Sequence, residues 1–510
     1  MDIALVRRWA AEGSLPNFRR LLESTAWTDY PIAPEFSSGT AWASINTGVS
    51  PRRHDFFPFG RLAPGSYQTR MTTASDLKGS PFWGPIAESG RRILLADVPC
   101  SLPTALAGGR GFFGWCLHDR PWGSWSVPRR FLSELRERFG EHPVPACNDY
   151  TTETDSILEL RSKLLTGIRR RTDLLEHLIA ESDWDFFYGS FSEAHCAGHL
   201  MWHLEDASHP RHRADQLAQV GPALREVYQA LDESMGRLTS LLDADDAWVL
   251  FFSHGVGPNH NADHLFPAFL ERFNCHWEGR ELPPATTKAT PGWKESLWRA
   301  TVGNIPLQWR DDLKLRLPAS LRVWLRIQRA RNSKNWSGML AFPFPLLDGY
   351  SAVRVNLAGR EPKGRLRAGR EYGEYLDALV RELLDLRSPE TGEKIVDQIF
   401  RADEVDDPFR LSSTPDLIIW WKKAARIEAM HSETLGTVSG GFPDPRSGEH
   451  VMRGMLMVSH PRSRPGRHEI EGMDLPDIPA TICELAGVRP PEAAEGRSRC
   501  RELLSGPPEF

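Results

Sequence analysis

The chain has 510 residues, too many for one ordinary hydrophobic core, so a large α/β unit with insertions or two domains is expected. Its apolar fraction of 40% and charged fraction of 25% are those of a globular protein, and a formal charge of −5 gives no basic excess that would point to nucleic acid. No window approaches the roughly 20 apolar residues of a membrane span, and the first residues have no secretory apolar core, so a cytoplasmic location is expected. Seven scattered cysteines (Cys100, Cys116, Cys147, Cys196, Cys275, Cys483 and Cys500) without C-x-x-C spacing argue against a disulfide framework or a cysteine-based zinc site.

In chain order, the spacing of apolar residues predicts a helix over 3–12 and a second ending near Glu23. A turn-rich segment, 31–54, follows, in which Ser37, Ser38, Gly39 and Thr40 form a small-residue bend before a helix closed by Gly48. A hydroxyl at such a helix start has two readings. It is either a cap or a nucleophile whose attack position is favoured by the helix dipole and free N–H groups. Residues 92–98 read as a buried strand. An amphipathic helix over 157–182 leads into an apolar strand, 185–191, and another over 217–243 leads into the strand within 246–258. This alternation predicts an α/β fold with a mostly parallel central sheet covered by helices on both faces. In such sheets chemistry collects at the carboxyl ends of the strands.

Two strand ends carry histidines. Strand 185–191 stops at Ser192-Glu193, and His195 and His199 follow four residues apart, the spacing with which one helix turn offers two nitrogens to one metal ion. The other strand stops at Ser253-His254-Gly255. Glu193 has three readings: a carboxylate orienting a ligand, a proton-transfer group, or a turn cap. His260 and His264 read as loop histidines, with metal ligation as the alternative, and His203, His209 and His212 read as solvated.

Residues 276–345 differ in character. Between 291 and 335 ten Lys/Arg face three acids, with Trp293, Trp298, Trp309 and Trp324 interleaved and Pro306 and Pro318 breaking any long helix. A solvated insertion, a helical lid, and a patch making peripheral membrane contact all fit that composition. Beyond it lie the segment GYSAVRVNLAGREPKG from Gly349, a helix over 371–387, a strand over 416–421, SGEH before an apolar strand at 455–460, and a closing helix within 473–488.

Together AWASINTGVSPRRH, SHGVGP, GYSAVRVNLAGREPKG, SGEH and DIPATICELAGV resemble the type I phosphodiesterase/nucleotide pyrophosphatase branch of the alkaline phosphatase superfamily, over nearly the whole chain. The resemblance implies a metal-dependent hydrolase of phosphodiester or pyrophosphate bonds, acting on a small phosphorylated or sulfated substrate. Its nucleophile aligns with Ser38, Thr40 being the fallback, and its metal ligands, usually to zinc, with His195, His199, His254 and His450. The implied divisions are 1–275 and 346–510 for the two parts of the core and 276–345 for the insertion.

Three positions depart from the family pattern. His195 and Ser253 stand where it has aspartates, and its early aspartate on the first strand has no counterpart, as though this sequence started downstream of that strand. One complete three-histidine site is therefore expected, with a second that keeps only Ser38 and His254. A catalytically lapsed binding protein and a phospho-group transferase are the alternative functions.

Overall fold

The computed structural model describes residues 1–36, 38–57, 61–63, 65–70, 72, 76–101, 106, 108–116, 124–144, 150–284, 336–344, 349–402 and 415–505. The chain divides into two compact units, one of Met1–Phe57, Thr73–Asn259 and Pro445–Phe510, the other of Pro58–Thr72 and His260–Asp444.

The first unit contains two four-stranded sheets. In one, Ile93–Ala96 pairs in parallel with Arg110–Phe113 and with Phe186–Gly189, as the helix–strand alternation predicts. In the other, Arg453–Ser459 lies antiparallel between Ala26–Pro31 and Trp248–Phe252, so the expected parallel pairing does not extend to the strand that precedes His254.

Helices cover both faces, and the strands carry the alternation that this requires. Met455 and Met457 enter a core with the helices Ile3–Ala11, Pro16–Ser24, Thr154–Glu181, Glu193–Glu205 and Ala223–Thr239. Leu456 and Val458 point to the opposite core, with Ala41 and Ile45 of the helix Ser38–Thr47 and Ile478 and Ile482 of the helix Asp477–Leu485. Each such side chain contributes on the order of 1.5–3 kcal/mol when fully buried. The α/β class with two-sided helical cover is thus the one observed.

The expected single helix over 217–243 is two helices, Ala214–Val220 and Ala223–Thr239. Gly221 takes a positive φ of 67° and Pro222 lacks the amide that would continue the ladder, so the chain turns between them. The second of these helices supplies a cap to a distant one. Helix Pro16–Ser24 has Leu15 at its N-cap, which has no acceptor to offer. Buried Asp232 substitutes, accepting from Phe18 N at 2.6 Å and from Asn17 N at 3.1 Å. The AWASINTGVSPRRH segment is tied by a buried contact of 2.9 Å between Ser44 Oγ and His54 Nε2.

The second unit has an antiparallel sheet in the order Ala341–Pro343, Ser351–Val355, Leu417–Trp421, Val396–Arg401, packed with the helices Phe266–Trp277 and Arg370–Asp385. The helix Phe266–Trp277 crosses the boundary expected at residue 275. The segment from Gly349 has a structural role here. Arg354 reaches Glu361 at 2.7 Å, Arg360 reaches Asp416 at 2.7 Å, and Tyr372 donates to Asp416 at 2.8 Å, a buried set with two positive and two negative charges. Most of the expected lid, including all of 291–335, lies outside the described residues. Among those described, no helix is long and apolar enough to cross a membrane.

Asp232→Ala should leave Asn17 and Phe18 amides without their acceptor, a loss of about 1–3 kcal/mol. Amide hydrogen exchange at 17 and 18 should accelerate at least as much as at any other helix start. Unchanged exchange at those two positions would refute the capping role.

Candidate functional site

The ligand-type histidines converge because four segments of the first unit meet at one end of its sheets. The parallel strand Phe186–Gly189 delivers the chain to Ser192, the N-cap of the helix Glu193–Glu205. On that helix His195 and His199 share a face, their Nε2 atoms 3.0 Å apart. The strand Trp248–Phe252 ends at Ser253-His254, and the chain then forms Gly255–Pro258, which pairs antiparallel with Gly448–Val451 in the register His450↔Val256. That hairpin-like pairing brings His450 back to the same end. Its Nε2 lies 2.9 Å from His195 Nε2, across 255 residues of sequence.

Two glycines permit the approach. A Cβ at Gly448 would sit 2.1 Å from Gly198 O, and one at Gly198 would meet Val256 at 2.9 Å. Without side chains there, the helix lies against the strand, and Gly448 O accepts from His199 Nδ1 at 2.8 Å. This bond fixes the His199 tautomer, so its Nε2 presents a lone pair toward His195 and His450.

The carboxylate beneath the cluster is Glu449. It is wholly buried, with Oε1 3.2 Å from His450 Nδ1 and 3.9 Å from His199 Nδ1, while Oε2 lies 2.9 Å from Arg446. Burial and the neighbouring His254, His199 and His195 hold His450 well below the usual imidazole range, so the ring is neutral, the form a metal requires. His254 is buried beside it, ring centroids 4.2 Å apart, with Nδ1 3.1 Å from Gly255 O.

The donor set fits a metal ion. His195, His199 and His450 each offer one nitrogen, all within 4.8 Å of one another. A proton on His195 Nε2 can serve only one of its two neighbours, so one lone pair faces another unless a cation lies between them. Tetrahedral zinc with Zn–N bonds of about 2.0–2.1 Å places nitrogens about 3.3 Å apart, slightly wider than the 2.9 and 3.0 Å from His195 Nε2 to His450 Nε2 and His199 Nε2. Three imidazoles without a carboxylate suit zinc or a similar transition metal better than magnesium or calcium. His254 lies outside this three-nitrogen set.

Ser38 opens the helix Ser38–Thr47; its side chain lies outside the described residues. One turn further on, Trp42 packs on Phe251 with centroids 5.9 Å apart, which sets this helix against the strand that ends at Ser253. Thr40, the fallback, is buried.

Glu193 faces away from the histidines. It accepts from Arg171 Nε at 3.0 Å and lies 3.1 Å from His142 Nε2, while Arg171 also pairs with Asp97 at 3.0 Å. Burial raises its pKa, but Arg171 and His142 outweigh that and hold the carboxyl at about 2. Neither of these partners is signalled by local sequence. His142 is opposed as a cation by burial, yet Cys116 and Glu193 push it up to about 10.

The remaining histidines are structural. His260 Nδ1 is 2.9 Å from Lys423 O and His264 Nε2 is 3.1 Å from Gly440 O, both within the second unit. His203 and His209 are buried, not solvated, with His203 Nδ1 2.9 Å from Ser447 Oγ. The helix Glu193–Glu205 carries His203 to its inner side two turns after His195, a placement that the surrounding polar residues obscured. Glu449 had one visible signal, its position between Gly448 and His450.

The profile of the family described as type I phosphodiesterase/nucleotide pyrophosphatase matches residues 1–450. The chain belongs to that family. No curated protein matches it significantly. Among solved structures it is similar to phosphonoacetate hydrolase from Sinorhizobium meliloti 1021, at 14% identity and a TM-score of 0.49 over 95% of this chain and 93% of that one. It is also similar to murine ectonucleotide pyrophosphatase/phosphodiesterase 5, at 10% identity and 0.46 over 96% and 95%, and to wild-type alkaline phosphatase PafA, at 12% and 0.48 over 98% and 96%.

Glu449→Gln keeps the shape but removes the charge behind His450 and His199. Metal affinity, read by competition with a chromophoric chelator, should fall about 10–100-fold; affinity within twofold of the parent would exclude Glu449 as a support. A second expectation concerns pH. Because the folded His142 pKa is raised, its stabilisation is complete below about 6.5 and is lost as pH rises through about 10. Denaturation midpoints should therefore decline between pH 7 and 10 more steeply in the parent than in His142→Gln; parallel profiles would refute the assignment.

Proposed function

We propose that this chain is a metal-dependent hydrolase of phosphodiester or pyrophosphate bonds, with Ser38 as nucleophile and His195, His199 and His450 as ligands of one metal ion. The observation that carries the reading is the meeting of His195 Nε2 with His450 Nε2 at 2.9 Å and with His199 Nε2 at 3.0 Å, in a chain of this family. A bound divalent cation supplies Lewis acidity toward a phosphoryl oxygen and lowers the pKa of a coordinated hydroxyl.

The protein's own residues supply the rest. In this reading the first N–H groups and positive dipole end of the helix Ser38–Thr47 would bind the phosphoryl anion. Glu449 supports His450 from behind, and Gly448 O orients His199. His195 in place of a carboxylate removes one negative charge from the ligand set, so the cation retains more of its own charge for the substrate. Ser253 beside His254 leaves the second family site without its carboxylate, and we read that site as weak. The substrate is a small phosphorylated or sulfated molecule.

The replaced carboxylates favour one other reading, a binding protein that retains the metal and a phosphorylated ligand without turnover. Metal analysis together with nitrophenol release from mono- and bis-nitrophenyl phosphate and from nitrophenyl sulfate separates the two. The hydrolase reading expects bound metal and turnover that drops by at least about 10³-fold in Ser38→Ala. Metal without turnover of any of the three esters would favour the binding protein, and undiminished turnover in Ser38→Ala would remove the nucleophile.

A further inference from the structure

The strand that carries His450 docks on the helix Glu193–Glu205 through residues outside the histidine cluster. Ser447, just ahead of the strand Gly448–Val451, donates its N–H to His199 O at 2.8 Å, and the next residue supplies Gly448 O, the acceptor for His199 Nδ1. Two consecutive residues therefore hold one ligand by its backbone and by its ring. Ser447 itself is placed by its hydroxyl. Its Oγ lies 2.9 Å from His203 Nδ1, one helix turn beyond His199.

The direction of that bond is set from further back. Thr152 O accepts from Gln216 Nε2 at 2.7 Å, so Gln216 turns its Oε1 to His203 Nε2, 3.2 Å away. His203 Nε2 therefore carries the proton, Nδ1 is the acceptor, and the Ser447 hydroxyl donates to it. Burial lowers the His203 pKa to about 4, so the ring is neutral, as this chain of bonds requires. Ser447, His203 and Gln216 are all buried, so each finds its partners within the protein. The same stretch is pinned at its backbone: Arg211 donates to Pro445 O at 2.5 Å and to Arg446 O at 3.0 Å, and Asn259 N donates to Ser447 O at 2.8 Å.

We propose that Ser447 and His203 are positioning residues for the three-histidine site, their bond fixing where the strand Gly448–Val451 lies along the helix Glu193–Glu205. This role exists only if those histidines bind a metal ion, as proposed above. Neither residue belongs to the ligand-type group of His195, His199 and His450; both act through the backbone. A strand displaced along the helix carries His450 away from His195 and takes Gly448 O from His199, so nitrogen separation and tautomer are lost together. Metal–nitrogen bonds of about 2.0–2.1 Å tolerate little of either change.

The test uses the full chain, stripped of metal. It is titrated with Zn2+ against a chromophoric chelator, and with Co2+, whose visible absorption reports ligand geometry. Ser447→Ala removes a single buried oxygen and keeps the rest of the packing. Its Zn2+ affinity should fall about 10–100-fold, with a changed Co2+ spectrum. Ser234→Ala is the control: its hydroxyl is also buried, bonded to Thr172 at 2.7 Å, but lies outside this chain of bonds, and affinity should stay within about twofold of the parent's. His203→Asn, which retains an acceptor near the Nδ1 position, should bind Zn2+ more tightly than His203→Leu. Should the His203 variants not fold, Ser447→Ala decides. Parent-like affinity and spectrum in Ser447→Ala, an equal loss in Ser234→Ala, or His203→Asn no better than His203→Leu would each overturn the positioning role alone. A parent that takes up neither ion would instead refute the three-histidine reading, and the positioning role with it.

Discussion

The site depends on one close approach, that of the helix Glu193–Glu205 to the strand Gly448–Val451. It is possible because Gly198 and Gly448 have no side chains; any Cβ at Gly448 would stand inside the radius of the facing carbonyl oxygen. From that contact follow the bond between His199 Nδ1 and Gly448 O, the tautomer it sets, and the meeting of His199 with His450. Histidines on a helix and a strand can share a metal only if backbone separation is small, because an imidazole reaches only a few ångströms from its Cα.

The helix is supported on two sides by carboxylates in different electrostatic settings. Glu449, on the histidine side, faces Arg446 and the His450 ring that burial keeps neutral, so its charge is available to polarise that ring. Glu193, on the other side, is committed to Arg171 and His142. Removing one partner from such a buried pair typically costs about 3–5 kcal/mol, because the remaining charge is left uncompensated. The network therefore holds the first turn of the helix in position, and with it His195.

Much of this was legible in the sequence, for reasons that are local. The apolar run ending at Ser192, followed by histidines four apart, has one simple geometric meaning, a strand feeding a helix with two imidazoles on one face. The start of the helix at Ser38 and its closure at Gly48 also follow from small residues flanking an apolar stretch. Errors arose where the deciding partner was remote. The 217–243 segment has helical periodicity throughout, yet Gly221-Pro222 divides it. His203 sits among polar residues in sequence but under Ser447 in space.

The sequence by itself determined the elements, their two-sided apolar patterning and the i, i+4 pair, since these depend on residues within a few positions of each other. Only the tertiary structure decided which carboxylate lies beneath the histidines, that Glu193 turns to Arg171, and that His450 lies within 2.9 Å of His195. Those outcomes depend on strand register and on backbone contact at two glycines. Register couples residues hundreds of positions apart through hydrogen bonds that carry no side-chain identity, so no local pattern records them.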